Sequence, residues 1–146
     1  DKKGGTSIEY IRQFMKGKFP GAPKFAVLIS DVKDIAKAHV ACIGNNKVGG
    51  RRLIVGKEVK KLVELSQLIA EAMPEYKKKL PKKELPNLMV KLISYIDSSA
   101  KTMIPDLGIM MQTDTSYAEE ILGFKFKPAK GCISENAKSV VRLGLV

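Results

Sequence analysis

Apolar and polar residues alternate along this chain in blocks that change period. Residues 25–29, "FAVLI", form a continuous apolar run of the length and β-branched content of a buried strand. Ser30 and Asp31 break it. Val32, Ile35, Ala36, His39, Val40 and Ile43 then recur at helical spacing and define one face of a helix. Asp31 is a natural N-cap for that helix, and Asp34 sits in its first turn, where negative charge meets the positive end of the helix dipole. Gly44 with Asn45 and Asn46 marks its end. The pattern therefore predicts a strand, a sharp corner and a helix that buries Ile35, His39, Val40 and Ile43.

The flanking segments follow the same logic. Thr6 and Glu9 have the spacing of a capping box, ahead of a short helix with Ile8, Ile11 and Met15 inward and Gly17 at its end. Residues 52–55, "RLIV", predict a short strand. Residues 58–73 predict the longest helix, with Val59, Leu62, Val63, Ser66, Ile69, Ala70 and Met73 on one face and Pro74 as its stop. Asn87 can cap a helix carrying Leu88, Met89, Leu92, Ile93 and Ile96 inward. Residues 97–108 predict a short helix and a turn, and residues 109–112 a short strand. Thr113 or Asp114 caps a helix that reaches Leu122, with Gly123 as its left-handed exit. A last helix around residues 133–143 presents Ile133, Ala137, Val140 and Val141. The expectation is a single helix-rich α/β region over residues 1–146 with about three to five short strands.

Charge changes this picture only in part. The formal net charge is +11, nearly all of it lysine. Such an excess attracts nucleic acid, anionic membrane or an acidic partner. The lysines are spread along the chain, however, and the one dense run, "YKKKLPKK" at 76–83, has no interleaved aromatic ladder. Nucleic acid is therefore not the expected partner. No apolar run has the length of a membrane span, and no signal-peptide pattern opens the sequence. A cytoplasmic chain with no membrane partner is expected. Cys42 and Cys132 read as reduced, partly buried thiols.

Catalytic constellations are scarce. The lone histidine, His39, falls on the apolar helix face, and one histidine with two distant cysteines cannot supply a zinc site. There is no G-x-S-x-G elbow and no P-loop. Glu119 and Glu120 are adjacent and point in different directions on their helix. Met110 and Met111 read as packing residues.

Several stretches together resemble the extended short-chain dehydrogenase/reductases. The apolar strand followed by "DVKDIAKAHV" looks like a marker segment of that family, and "GRRLIVG" is similar to the strand that returns to its cofactor-domain sheet. "LSQLIAEAMPEY", "LPNLMVKLISYID", "DTSYAEEILGFKFKPA" and "ISENAKSVVRLGLV" resemble later segments of its dihydroflavonol-reductase-like and carbonyl-reductase-like branch. The resemblance implies the C-terminal, helix-rich substrate lobe of an extended Rossmann-type reductase, with the dinucleotide-binding half absent. It implies a complete enzyme that reduces a carbonyl substrate with NADP or NAD. The family's Gly-rich turn is absent here. Its Tyr-x-x-x-Lys pair is absent too, because Tyr10, Tyr76, Tyr95 and Tyr117 are followed four residues on by Phe14, Leu80, Ser99 and Ile121. No catalytic, cofactor-binding or metal-ligating residue is expected in this chain, and no cofactor is expected to bind it alone. Met15, Phe25 and Leu28 are the expected substrate-pocket wall. The expected partners are the missing N-terminal cofactor-binding domain, a small carbonyl compound and a second copy of the chain, in a homodimer. The other reading is a non-enzymatic basic module that binds nucleic acid or an acidic partner on a reductase-derived fold.

Overall fold

In the computed structural model, which describes residues 6–96, 98–101 and 103–146, seven helices surround a small antiparallel sheet. Helix α1 is Thr6–Met15, strand β1 is Ala26–Ile29, α2 is Val32–Cys42, and β2 is Glu58–Lys61. Helices α3 (Leu62–Ala72), α4 (Asn87–Ile93), α5 (Ser98–Lys101), α6 (Ser116–Leu122) and α7 (Ala129–Arg142) follow. Strand β1 pairs with β2 from Ala26 opposite Lys61 to Ile29 opposite Glu58. One backbone bond extends the ladder at each end, from Lys57 N–H to Ile29 O and from Leu62 N–H to Phe25 O.

Helix α7 packs against α1 and α3 to build the main core. Phe14, Met15, Leu62, Ile69, Val90 and Val140 are all but closed to solvent. Phe14 and Phe19 meet edge to face at 5.3 Å, one of the preferred arrangements for aromatic quadrupoles. A smaller cluster lies between α2 and α6, where Ala38 meets Ala118, Leu122 and Phe126.

Asp31 caps α2 as its sequence predicts, accepting from Lys33 N–H at 2.8 Å. Gly123 ends α6 with φ +75°, a conformation that strains any residue with a Cβ. Asp114 accepts from both the N–H and the hydroxyl of Ser116 at the start of α6. The hydroxyl of Thr6, expected in a capping box, and the expected turn residues Asp97 and Thr102 lie outside the described residues. Glu9 is engaged forward, by Arg12 at 2.8 Å and by Gln13.

Five expectations fail, four of them for a reason the packing shows. First, α2 is turned the other way. His39 is exposed, Val32, Val40 and Ile43 are 74%, 69% and 81% exposed, and Ile35 is exposed at 37%. The buried side of α2 is Asp34 and Ala38, small and polar residues that allow α6 a close approach. The Nδ1 of His39 lies 2.8 Å from the Ile35 carbonyl, so that nitrogen carries the proton. Second, residues 58–61 are strand rather than the first turn of the long helix, because β1 offers them a ladder. Leu65, absent from the expected face, is buried in consequence. Third, residues 52–55 form no strand. The Val55 carbonyl accepts from Ser30 Oγ at 2.5 Å, and Leu53 and Val55 pack on the α2–α6 cluster. Gly56 has to be glycine there, since a Cβ would stand 2.7 Å from Leu28 Cγ. Fourth, residues 109–112 are extended but unladdered, with a single backbone hydrogen bond to β1 among the described residues, from Ala26 N–H to Ile109 O. Two strands, not three to five, result among the described residues. Leu88, Leu92 and Ile96, expected inward on α4, are exposed as well, and Val90 takes the buried position.

Replacing Asp31 with Ala should cost about 1 kcal/mol through loss of the cap. Gly123→Val should cost more, and both should appear as lowered thermal melting temperatures. Val40→Ser should leave the melt of the monomer within about 0.5 kcal/mol, because its side chain is in solvent.

Candidate functional site

A set of carboxylates is gathered on the backbone of residues 126–129. Glu119, at the buried face of α6, accepts from Phe126 N–H at 2.9 Å and pairs with Lys57 Nζ at 2.8 Å and Lys125 Nζ at 3.1 Å. Asp34 of α2 accepts from Lys127 N–H at 2.6 Å. Glu58 of β2 accepts from Ala129 N–H at 3.0 Å, and Pro128 has no N–H to offer. The Lys127 ammonium bridges Asp31 at 3.2 Å and Glu135 at 2.5 Å.

These contacts set the charge states. The Lys57 ammonium, the Phe126 amide and the Lys125 ammonium hold Glu119 down to about 2. Burial pushes Asp31 upward, but the Lys33 amide and the Lys127 ammonium outweigh it and leave the group below its ordinary value. Lys60 and the Ala129 amide lower Glu58. Carboxylates held ionised in this way are structural acceptors and cannot deliver a proton near neutrality. Burial, with Asp31 nearby, pushes the Cys132 thiol up to about 11, which makes it a poor nucleophile. Both cysteines are free, Cys42 half-buried and Cys132 buried.

A groove of about 420 Å³ opens elsewhere, beside the sheet. Ala26, Val59, Met110 and Met111 supply its apolar lining, and Lys61, Glu64, Gln112 and Thr113 its polar lining. Glu64 is committed to the Lys61 backbone N–H at 2.6 Å, as the capping box of α3. The methionines expected as packing residues are 38% and 46% exposed and belong to this groove. Of the three expected wall positions, Met15 and Phe25 lie in the main core and Leu28 is half-buried on β1. None of them lines this groove. What sequence reading missed is that the extended segment 109–113, exposed over residues 109–112, lies beside β1 and closes one side of this groove.

The tyrosines bear on catalysis. Tyr10 is half-buried against Phe25, and burial together with nearby Asp106 raises its phenol above the ordinary value, away from an acid poised for neutral pH. Lys79 stands 5.6 Å over the ring of Tyr76, a cation–π position rather than a hydrogen bond to its hydroxyl. Tyr95 is 88% exposed. Among the described residues no three His, Cys, Asp or Glu side chains converge as a metal site, and no helix is long and apolar enough to cross a membrane. The groove is open to solvent and of mixed character, with Lys61 and Glu64 on its polar side.

No protein-family model matches the chain, and no curated protein matches it. Solved structures do. Gre2 from Candida albicans in complex with NADPH superposes with a TM-score of 0.67 at 20% identity over 97% of this chain. The yeast methylglyoxal/isovaleraldehyde reductase Gre2, complexed with NADPH, gives 0.68 at 23% identity over 100% of the chain. The protein gox2253 gives 0.73 at 16% identity over 97%. The chain has the fold of one part of these proteins. It spans 38% to 45% of their length. The resulting architecture, helices around a two-stranded sheet, matches a portion of a Rossmann-type reductase.

Stability should fall as pH drops. Glu119 has an ordinary value of 4.5 and a folded value of about 2, so its contribution is complete above 4.5 and is lost as pH falls toward 2. Asp31 and Glu58 are shifted in the same direction. Circular dichroism during acid titration should show unfolding in that window, and Glu119→Gln should lower stability at neutral pH while flattening the acid decline. Iodoacetamide should modify Cys42 and spare Cys132 until the chain unfolds.

Proposed function

We propose that this chain is the substrate-determining part of an NAD(P)-dependent oxidoreductase that reduces a carbonyl. The observation that carries this reading is the superposition on the two NADPH complexes of Gre2 along nearly the whole chain, while the chain spans 38% and 39% of theirs. The cofactor, and the tyrosine that would act as acid, belong in this reading to a nucleotide-binding portion outside these residues. The absence of a Gly-rich strand-to-helix turn from the sequence is consistent with that division. The outward stripe of α2, Val32, Ile35, Val40 and Ile43, is the surface on which such a portion would pack, since an apolar stripe of this size needs a cover. NADP is favoured over NAD by those two complexes. The resemblance of "DTSYAEEILGFKFKPA" and the other segments to the dihydroflavonol-reductase-like and carbonyl-reductase-like branch is what suggests a ketone, an aldehyde or a dihydroflavonol-like carbonyl as substrate. The groove at Met110 and Met111, with Leu28 close by on β1, is the part of this chain assigned to the substrate wall.

A chimera tests the reading. The matching portion of the yeast Gre2 would be replaced by this chain and NADPH oxidation followed with a panel of carbonyls. Retained NADPH binding with a changed order of preference among ketones and aldehydes is expected. A chimera that binds NADPH and keeps the parent's preferences unaltered would remove the substrate-determining role. The chain alone should show no NADPH binding by calorimetry. In light scattering it should self-associate through the α2 stripe into a dimer, and Val40→Glu with Ile43→Glu should return it to monomer. A strictly monomeric parent chain at high concentration would contradict that pairing.

A further inference from the structure

The lysines that look scattered in sequence are partly gathered by the fold. The turn after α1 places Lys16 and Lys18 on either side of Gly17. A Cβ on Gly17 would stand 3.3 Å from Lys79 Cβ, so this turn lies directly on the lysine run. Four residues further on, Ala22 N–H donates to Lys83 O at 2.9 Å and Leu85 N–H to Ala22 O at 2.8 Å. Two segments some sixty residues apart in sequence therefore run side by side, although the chain between them, fully extended, would span about 200 Å. The run from Lys77 to Lys83 contributes five lysines and no acid, and all five are exposed together with Lys16 and Lys18. Leu80, Pro81 and Leu85 are buried and pin the run to the body of the protein. Among the described residues none of these seven lysines is in an ion pair, whereas Lys57, Lys60, Lys125 and Lys127 all are. Exposed ammoniums closer than a Debye length, roughly 8 Å at physiological salt, act on a partner as one field.

Helix α4 begins immediately after this bridge. Its buried contact is Val90, and its outward side carries Leu88, Met89 and Leu92 around exposed Lys91, with Tyr95 and Ile96 just beyond its end. Tyr95 and Ile96 are 88% and 93% exposed. Exposed lysines and exposed large apolar side chains thus follow one another along residues 77–96.

We propose that this lysine face, with the outward side of α4, docks on an anionic phospholipid surface. The chemistry of both parts fits that occupant. The charge is all lysine, a flexible point charge suited to a diffuse layer of headgroups, while nearby Arg12 is tied to Glu9. The exposed aliphatic and aromatic side chains provide what inserts at the headgroup–acyl boundary. A single-stranded nucleic acid would instead require stacking platforms, and the one aromatic ring within the run, Tyr76, has Lys79 over it. The expectation of no membrane partner came from the lack of a spanning helix, which has no bearing on docking from one side. This inference is independent of the carbonyl-reductase reading.

The test is vesicle co-flotation of the full chain, with phosphatidylcholine vesicles with and without phosphatidylserine, at low and physiological salt. Binding should require phosphatidylserine and weaken with salt. Lys18→Glu, Lys79→Glu and Lys83→Glu combined should lower it by about a hundredfold. Leu88→Ser with Leu92→Ser should lower it as well while leaving single-stranded RNA binding in a parallel gel shift unchanged. All five positions are exposed, so circular dichroism should show every variant folded. Equal binding to both vesicle types would overturn the proposal. So would RNA binding tighter than vesicle binding with no effect of the leucine changes.

Discussion

The fold depends on carboxylates that hold backbone. Three of them, Asp34, Glu58 and Glu119, arrive from α2, β2 and α6 and accept the consecutive N–H groups of Phe126, Lys127 and Ala129. A buried amide left without an acceptor costs about 1–3 kcal/mol, more than a surface ion pair contributes. The direction of binding matters as well. The three acceptors fix where α7 starts, and α7 in turn builds the main core with α1 and α3. Lys57 and Lys127 then neutralise charge that would otherwise be isolated beside the core. The basic composition is thereby divided into lysines consumed by the interior network and lysines left to the surface.

Helix α2 shows why that network outranks the simple hydrophobic pattern. Its apolar stripe is the stronger signal in the sequence, yet the side turned inward holds Asp34 and Ala38. Turning the helix by half a circle would bury Val32, Val40 and Ile43, but would pull Asp34 away from the Lys127 amide and push larger side chains against α6. Such an arrangement leaves a helix amphipathic toward both sides: a small, polar seam for its own chain and an apolar stripe facing out. That is the pattern of a helix shared between two bodies.

Much of the local structure was legible because it follows from short-range rules. The cap at Asp31, the exit at Gly123, the inward Ile11 and Met15, and the stop before Pro74 each depend on a few neighbouring residues. Failures came where a distant segment decides. Residues 58–61 have the composition of a helix and became strand because β1 lay beside them, and residues 52–55 lost their strand because no partner was present. The resemblance read from the sequence agrees with the fold of the solved reductases, but the groove beside β1 was not legible. Its lining comes from Ala26, Val59 and Met110, positions with no common sequence signal. The lysine face was hidden for the same reason, since Lys18 and Lys79 become neighbours only through the bridge at Ala22.

The carboxylate clamp also imposes an order of events. Asp34 and Glu58 bind partners 93 and 71 residues further along the chain. Contacts of such long range close late, after the loop entropy between them has been overcome. During synthesis, α2 and β2 therefore emerge before the backbone N–H groups of Lys127 and Ala129 that Asp34 and Glu58 will hold. Until residues 126–129 arrive, those carboxylates stay in water and the inner seam of α2 stays open beside its apolar stripe, the kind of intermediate that needs a chaperone or a waiting neighbour.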